Sequence, residues 1–205
     1  MRPLSYWLKV LIWVALALAV AIPLGAAALS PQLAWRDPIY IIAGFAGIFA
    51  MALLLVQPLL AGGHLPALSA MRARRFHRVI GATLVVAVIV HVGALWITSP
   101  PDVIDALLLA SPTPFSIWGV LAMWAVFAAA LVAILRKRMP VRTWRLAHMA
   151  LVCIVAAGTV AHALLIQGTM GTFSKIGLSI LVVAATAKVV ADRRIWTLVR
   201  RSRRD

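Results

Sequence analysis

The sequence of 205 residues predicts an all-α integral membrane protein, a six-helix bundle with both termini cytoplasmic, on three observations. Hydrophobic residues make up 64% of the chain and charged residues only 12%, with a mean hydropathy of +1.02, whereas soluble domains are about 25% charged. Six apolar runs approach the roughly 20 residues that a helix needs to cross a hydrocarbon core. Basic residues gather on alternate connections between those runs.

The first run, Leu8 to Leu29, is too long for the apolar core of a cleaved signal peptide and lacks a clean small-residue cleavage site. It is expected to stay in the membrane. Ile39 to Ala61 forms the second span, Val79 to Thr98 the third, Ser116 to Leu135 the fourth and Leu146 to Ile166 the fifth. The sixth, Ile176 to Ala191, is the shortest and carries Lys188, which sets its inner end at the interface. The connections run to at most about 17 residues, so residues 1–205 are read as one membrane domain.

The net charge of +15 follows the topology. Arg2 and Lys9, then Arg72, Arg74, Arg75 and Arg78, then Arg136, Lys137, Arg138, Arg142 and Arg145, and finally Arg193, Arg194, Arg200, Arg201, Arg203 and Arg204 fall on one side of a six-span plan. Arg36 and Lys175 fall on the other, with Asp37, Asp102 and Asp105. By the positive-inside rule the basic side is cytoplasmic. Nucleic acid is not needed to explain the charge; membrane lipid headgroups or an acidic partner stay open as further contributors.

Four histidines lie inside or at the edge of the third and fifth spans, as His77 with His91 and His148 with His162, each pair 14 residues apart. Fourteen steps advance a helix about 21 Å and fall about 40° short of four full turns. Each pair therefore shares one helix face. A single intramembrane histidine is as readily a hydrogen-bonded packing residue as a ligand, but two pairs at equal spacing point to a cofactor. Zinc is disfavoured because histidines so far apart cannot share one ion, and a proton relay because spans two to five hold no Asp or Glu. Haem suits them, one histidine from each helix closing the axial positions of an iron.

Spans three and five run parallel, being separated by one complete return. That levels His77 with His148 near the cytoplasmic side and His91 with His162 toward the outside. The expected product is two haem b groups, with His77 and His148 on the inner iron and His91 and His162 on the outer. His64 is separated from His77 by Pro66 and the basic segment, and is read as a loop or interfacial residue. Cys153, in mid-span, is read as a small buried apolar residue. Gly44, Gly47, Gly81, Gly93 and Gly158 would let a porphyrin approach, although helix packing explains any one of them as well. Trp35, Trp96, Trp118, Trp144 and Trp196 form an interfacial belt.

The segments RRFHRVIGATLVVAVIVHVGALW (Arg74 to Trp96) and TWRLAHMALVCIVAAGTVAHALL (Thr143 to Leu165) resemble the paired haem helices of the ferric reductase-like transmembrane domain superfamily. That superfamily includes NADPH oxidases, eukaryotic ferric reductases and the haem-binding membrane subunit of a bacterial methionine sulfoxide reductase system. The second span, with Gly44 and its Gln57, Pro58, Leu59 ending, is similar to that bacterial subunit. The resemblance implies transmembrane electron transfer and a bacterial inner membrane. It also implies that the four histidines are the ligands.

The chain departs from the oxidases in one respect, since only about 14 residues follow the sixth span and no Gly-rich dinucleotide fingerprint is present. Electrons are therefore expected from a cytoplasmic flavin reductase, from a flavin (FMN or FAD) bound at the cytoplasmic face by Arg72, Arg74, Arg75, Arg138 and Arg142, or from quinol. The acceptor is expected to be a periplasmic redox partner, ferric iron or oxygen. The short outer loops, with Gln32, Arg36, Asp37, Asp102, Asp105, Gln167 and Lys175, suit docking or open access better than an elaborate pocket. A quinol-linked dihaem cytochrome b anchoring another complex is the alternative reading, and a non-redox haem carrier or transporter a third.

Overall fold

A computed structural model describes residues 5–192 as seven helices, six of them long and apolar enough to cross a membrane, with no strand among the described residues. They are α1 (Tyr6–Ala28), α2 (Pro38–Gly62), α3 (Ala70–Thr98), α4 (Pro100–Leu107), α5 (Pro114–Ile134), α6 (Val141–Leu165) and α7 (Thr172–Asp192). Arg2, Trp196 and the basic residues from Arg193 to Arg204 lie outside the described residues.

Local chemistry starts each helix where it does. Ser5, Asp37 and Ser69 cap α1, α2 and α3 by accepting the N–H groups of Leu8, Ile39 and Arg72, donors that a helix start cannot satisfy itself. Pro38, Pro100 and Pro114 open α2, α4 and α5, where a missing N–H costs nothing. Gly63 closes α2 in a left-handed conformation with φ 71°.

Two expectations from the sequence are corrected, the arginine placement and the burial of Cys153, and one short helix is added. Arg72, Arg74, Arg75 and Arg78 sit on the first turns of α3 rather than on a loop, and Arg142 and Arg145 on the first turns of α6. Arginine is a good helix former, and α3, with 29 residues, exceeds the hydrocarbon thickness, so its basic turns reach the headgroups. The connection after α3 contains the extra helix α4, which carries Asp102 and Asp105 and is too short to register as an apolar run. Cys153 is exposed at the bundle surface; a thiol is apolar enough to face lipid.

Two antiparallel hairpins, α2 with α3 and α5 with α6, form the closest packing. Between lipid-immersed helices there is no hydrophobic drive, so small side chains that admit close backbone approach decide where helices meet. Buried alanines stand on all four helices: Ala50 and Ala52 on α2, Ala87 on α3, Ala122, Ala125 and Ala129 on α5, and Ala156 on α6. Gly158 belongs to this packing: a Cβ there would stand 3.0 Å from the Trp118 carbonyl of α5. α7 lies against α2 and α6, burying Leu178 and Val182, while α1 lies outermost against α2 and α7. By contrast, α3 and α6 hardly approach each other.

The ends of the bundle are fixed by polar contacts. His64, in the connection after α2, stands 3.2 Å from the Asp192 carboxylate, and Trp13 donates its indole N–H to the Pro66 carbonyl at 3.2 Å. The start of α1, the α2–α3 connection and the end of α7 therefore share the arginine-bearing end.

Candidate functional site

The four histidines are placed by two hairpins built alike. In the first, Nδ1 of His91 bonds the Ala43 carbonyl at 2.7 Å and Nδ1 of His77 bonds the Gln57 carbonyl at 3.2 Å. Both partners are in α2 and, like the histidines, lie fourteen residues apart. In the second, Nδ1 of His162 bonds the Phe115 carbonyl of α5 at 2.9 Å. Fourteen residues along α5, the Ala129 carbonyl lies beside His148, whose Nδ1 nevertheless makes no hydrogen bond of normal geometry. Facing residues advance equally along antiparallel helices, so one register serves both histidines of a hairpin.

A carbonyl only accepts, so the bonded Nδ1 of His77, His91 and His162 carries the proton and Nε2 carries the lone pair. That tautomer is what a metal-binding imidazole needs, with the backbone bond holding the ring in orientation.

Glycines make room for the two rings at the end away from the arginines. A Cβ on Gly47, one turn beyond Ala43, would stand 3.1 Å from Cε1 and Nδ1 of His91. A Cβ on Gly119, one turn beyond Phe115, would stand 2.7 Å from Nδ1 of His162. Gly47 was among the glycines singled out in the sequence; Gly119 was not. The signal that finds Gly119 is the repeat between the hairpins, visible once the carbonyl partners are aligned.

Across the gap between α3 and α6, the His91 and His162 ring centres are 6.4 Å apart with their planes at 80°. Each bonded imidazole is satisfied as a packing residue by its carbonyl alone. A second imidazole opposite, with both lone pairs on Nε2, exceeds that need. Metal–imidazole bonds are about 2 Å long, so the separation has room for one ion between two ring nitrogens. Two neutral imidazoles are too few for a metal site made by protein alone, and no group of three or more His, Cys, Asp or Glu is placed to hold a metal among the described residues. The ion that suits the site brings its own equatorial ligands, as haem iron does.

The surroundings fit such a flat apolar group. A cavity of about 470 Å³ runs between the hairpins, bounded by Gly47, Met51, Leu84, Gly119 and Val126 beside the two histidines. It reaches the α3–α5 and α6–α7 connections, and Tyr40 of α2, Ser111, Thr113, Ser116 of α5 and Thr169 supply hydroxyls along its lining. α4 forms part of the wall through Asp102 and Val103. The placement of Lys175 is corrected: it is buried in the first turn of α7 and lines the cavity, with Nζ donating to the Ile166 carbonyl.

His77 and His148 sit fourteen residues nearer the arginine-bearing end of α3 and α6. Trp144 stacks on His148 with ring centres 6.1 Å apart and planes at 21°, so it does more than mark the interface. Gln57 is buried beside Gly81 and donates Nε2 to the His77 carbonyl at 3.1 Å. His64 stands apart from all four, on Asp192.

The family described as ferric reductase like transmembrane component matches residues 43–159, more than half of the chain. The match takes in Gly47, His77, His91, Gly119 and His148 and ends just before His162. No curated protein and no solved structure matches the chain.

Proposed function

Because the chain belongs to the ferric reductase-like transmembrane family, we propose that it passes electrons across the bacterial inner membrane, holding one haem b between His77 and His148 and a second between His91 and His162. When bound, the haems supply reversible one-electron chemistry. The observation that carries the reading is the His91–His162 relation, two imidazoles 6.4 Å apart across a cavity, each turned by a backbone carbonyl to keep its lone pair on Nε2.

The chain's own residues hold the imidazoles of His77, His91 and His162 in one tautomer, surround the cavity with an apolar wall and let the hairpins stand apart. No side chain is assigned to bond making. The arginine-bearing end is the cytoplasmic one under the positive-inside rule. Arg72, Arg74, Arg75, Arg138 and Arg142 there attract the donor, either a flavin reductase or a flavin phosphate (FMN or FAD). The opposite end faces the acceptor, a periplasmic redox protein, ferric iron or oxygen.

The test is a reduced-minus-oxidised spectrum of the purified chain with a haem count, for the wild type and for single His77, His91, His148, His162 and His64 to Ala variants. Two b-type haems per chain are expected, each of the first four variants losing one and His64→Ala losing none. A chain with no reducible b-type spectrum would sink the proposal, and reduction by a quinol analogue in place of a flavin reductase would move it to the quinol-linked alternative.

A further inference from the structure

Lys175 is 8% exposed and lines the same cavity as His162. Its ammonium has three donors, of which the Ile166 carbonyl takes one. The ion pairs found among the described residues both involve Asp192, at the far end of α7, so no carboxylate lies within 4.0 Å of Lys175. A buried cation without an anion is far costlier than one hydrogen bond repays. The position compounds the cost, because the first turn of α7 is itself the positive end of a 21-residue helix and carries no acidic residue. Lysine is a poor choice there unless something negative arrives in the cavity.

We propose that Lys175, with the start of α7 behind it, is a carboxylate-binding group at the end of the cavity away from the arginines. This rests on the haem reading above. The carboxylate is either a propionate of the haem held by His91 and His162 or an anionic group of the electron acceptor. Either source gives the ammonium a carboxylate in contact, whereas Asp102, which lines the same cavity, stands more than 4.0 Å away. The Ile166 bond holds the side chain toward the cavity meanwhile.

The experiment is a potentiometric titration of the purified full-length chain as wild type, K175Q and K175R, with the haem lost in His162→Ala identifying the outer one. K175Q removes the charge and keeps an N–H donor, one bond shorter in reach, for the Ile166 carbonyl. If the partner is a propionate, K175Q lowers the outer potential by about 59 mV, a tenfold shift toward the oxidised form, leaves the inner potential alone, and K175R restores most of the loss. If the partner is the acceptor, reoxidation by ferric citrate slows at least about tenfold in K175Q while reoxidation by oxygen does not.

A second measurement needs no variant. Wild-type protein reconstituted with protohaem dimethyl ester, which has no carboxylates, holds its outer haem less tightly than it holds protohaem in the first case and equally tightly in the second. Unchanged potentials and unchanged citrate and oxygen rates in K175Q overturn the proposal, as does loss of the K175Q effect in a D102N background, which would make Asp102 the partner. A wild type without haem removes the haem reading as well, so the two failures are distinguishable.

Discussion

The His162 ring occupies the space that a side chain on Gly119 would fill, with Nδ1 2.7 Å from where its Cβ would stand. The same relation holds more loosely between His91 and Gly47, at 3.1 Å. Gly119→Ala must therefore displace the ring, while Gly47→Ala asks its neighbour to yield only a few tenths of an ångström. Overpacking of this kind costs about 1–3 kcal/mol. G119A is expected to lose or loosen the outer haem with the inner one retained, and G47A to shift its spectrum with little loss. Equal haem content in G119A and wild type would show that the ring has another place to go.

The ring planes of His91 and His162 are at 80° to each other. Near-perpendicular axial imidazoles leave the iron orbitals almost degenerate. The oxidised outer haem is expected to give a strongly anisotropic low-spin EPR signal, absent from His91→Ala and His162→Ala. An ordinary rhombic spectrum from both haems would mean that the rings turn when the iron is bound.

The first turns of α3 and α6 and the segment between α5 and α6 crowd cations at one end of the bundle. Exposed charges act over about 10 Å at 0.1 M salt and much less at 1 M. Replacing Arg72, Arg74, Arg75, Arg138 and Arg142 together by Gln is expected to slow reduction by a flavin reductase about tenfold or more at low salt and little at high salt. An unchanged rate at low salt would remove these arginines from donor docking. Haem content serves as the control.

Because α3 and α6 hardly touch, the two hairpins depend on what lies between them. A ligand bound only by the folded state stabilises it by mass action, about 2.7 kcal/mol at a hundredfold excess over Kd. Protein produced under haem starvation is expected to unfold at a lower temperature and to regain the difference on haem addition. His64→Ala should leave the loaded protein's unfolding temperature in place, as it removes one contact with an exposed carboxylate. Identical unfolding with and without haem would argue that the hairpins hold each other unaided.

The six spans were legible because periodicity is not even required of them: composition and length alone identify a helix that must satisfy its backbone within lipid. Predicted and observed ends differ by at most five residues except at the start of α3, which lies nine residues earlier than predicted; at α3 and α6 arginines ended the apolar run without ending the helix. The one-face placement of His77 with His91 and of His148 with His162 was legible too, since it follows from the helical repeat. Gly119 and Lys175 were not. A glycine or a lysine near a span boundary has many ordinary explanations, and only the neighbour across the gap selects one.

By itself, then, the sequence determined the membrane-spanning helices, the basic end and the two histidine stripes, because these depend on residue type and on distance along a single helix. The tertiary structure decided what lies between helices. It set His91 6.4 Å from His162, gave each bonded ring its carbonyl in the preceding helix, seated two rings on Gly47 and Gly119, and turned Lys175 from the outer surface into the cavity. Those relations depend on the register and separation of antiparallel helices, which small-residue packing sets and which no spacing along one helix contains.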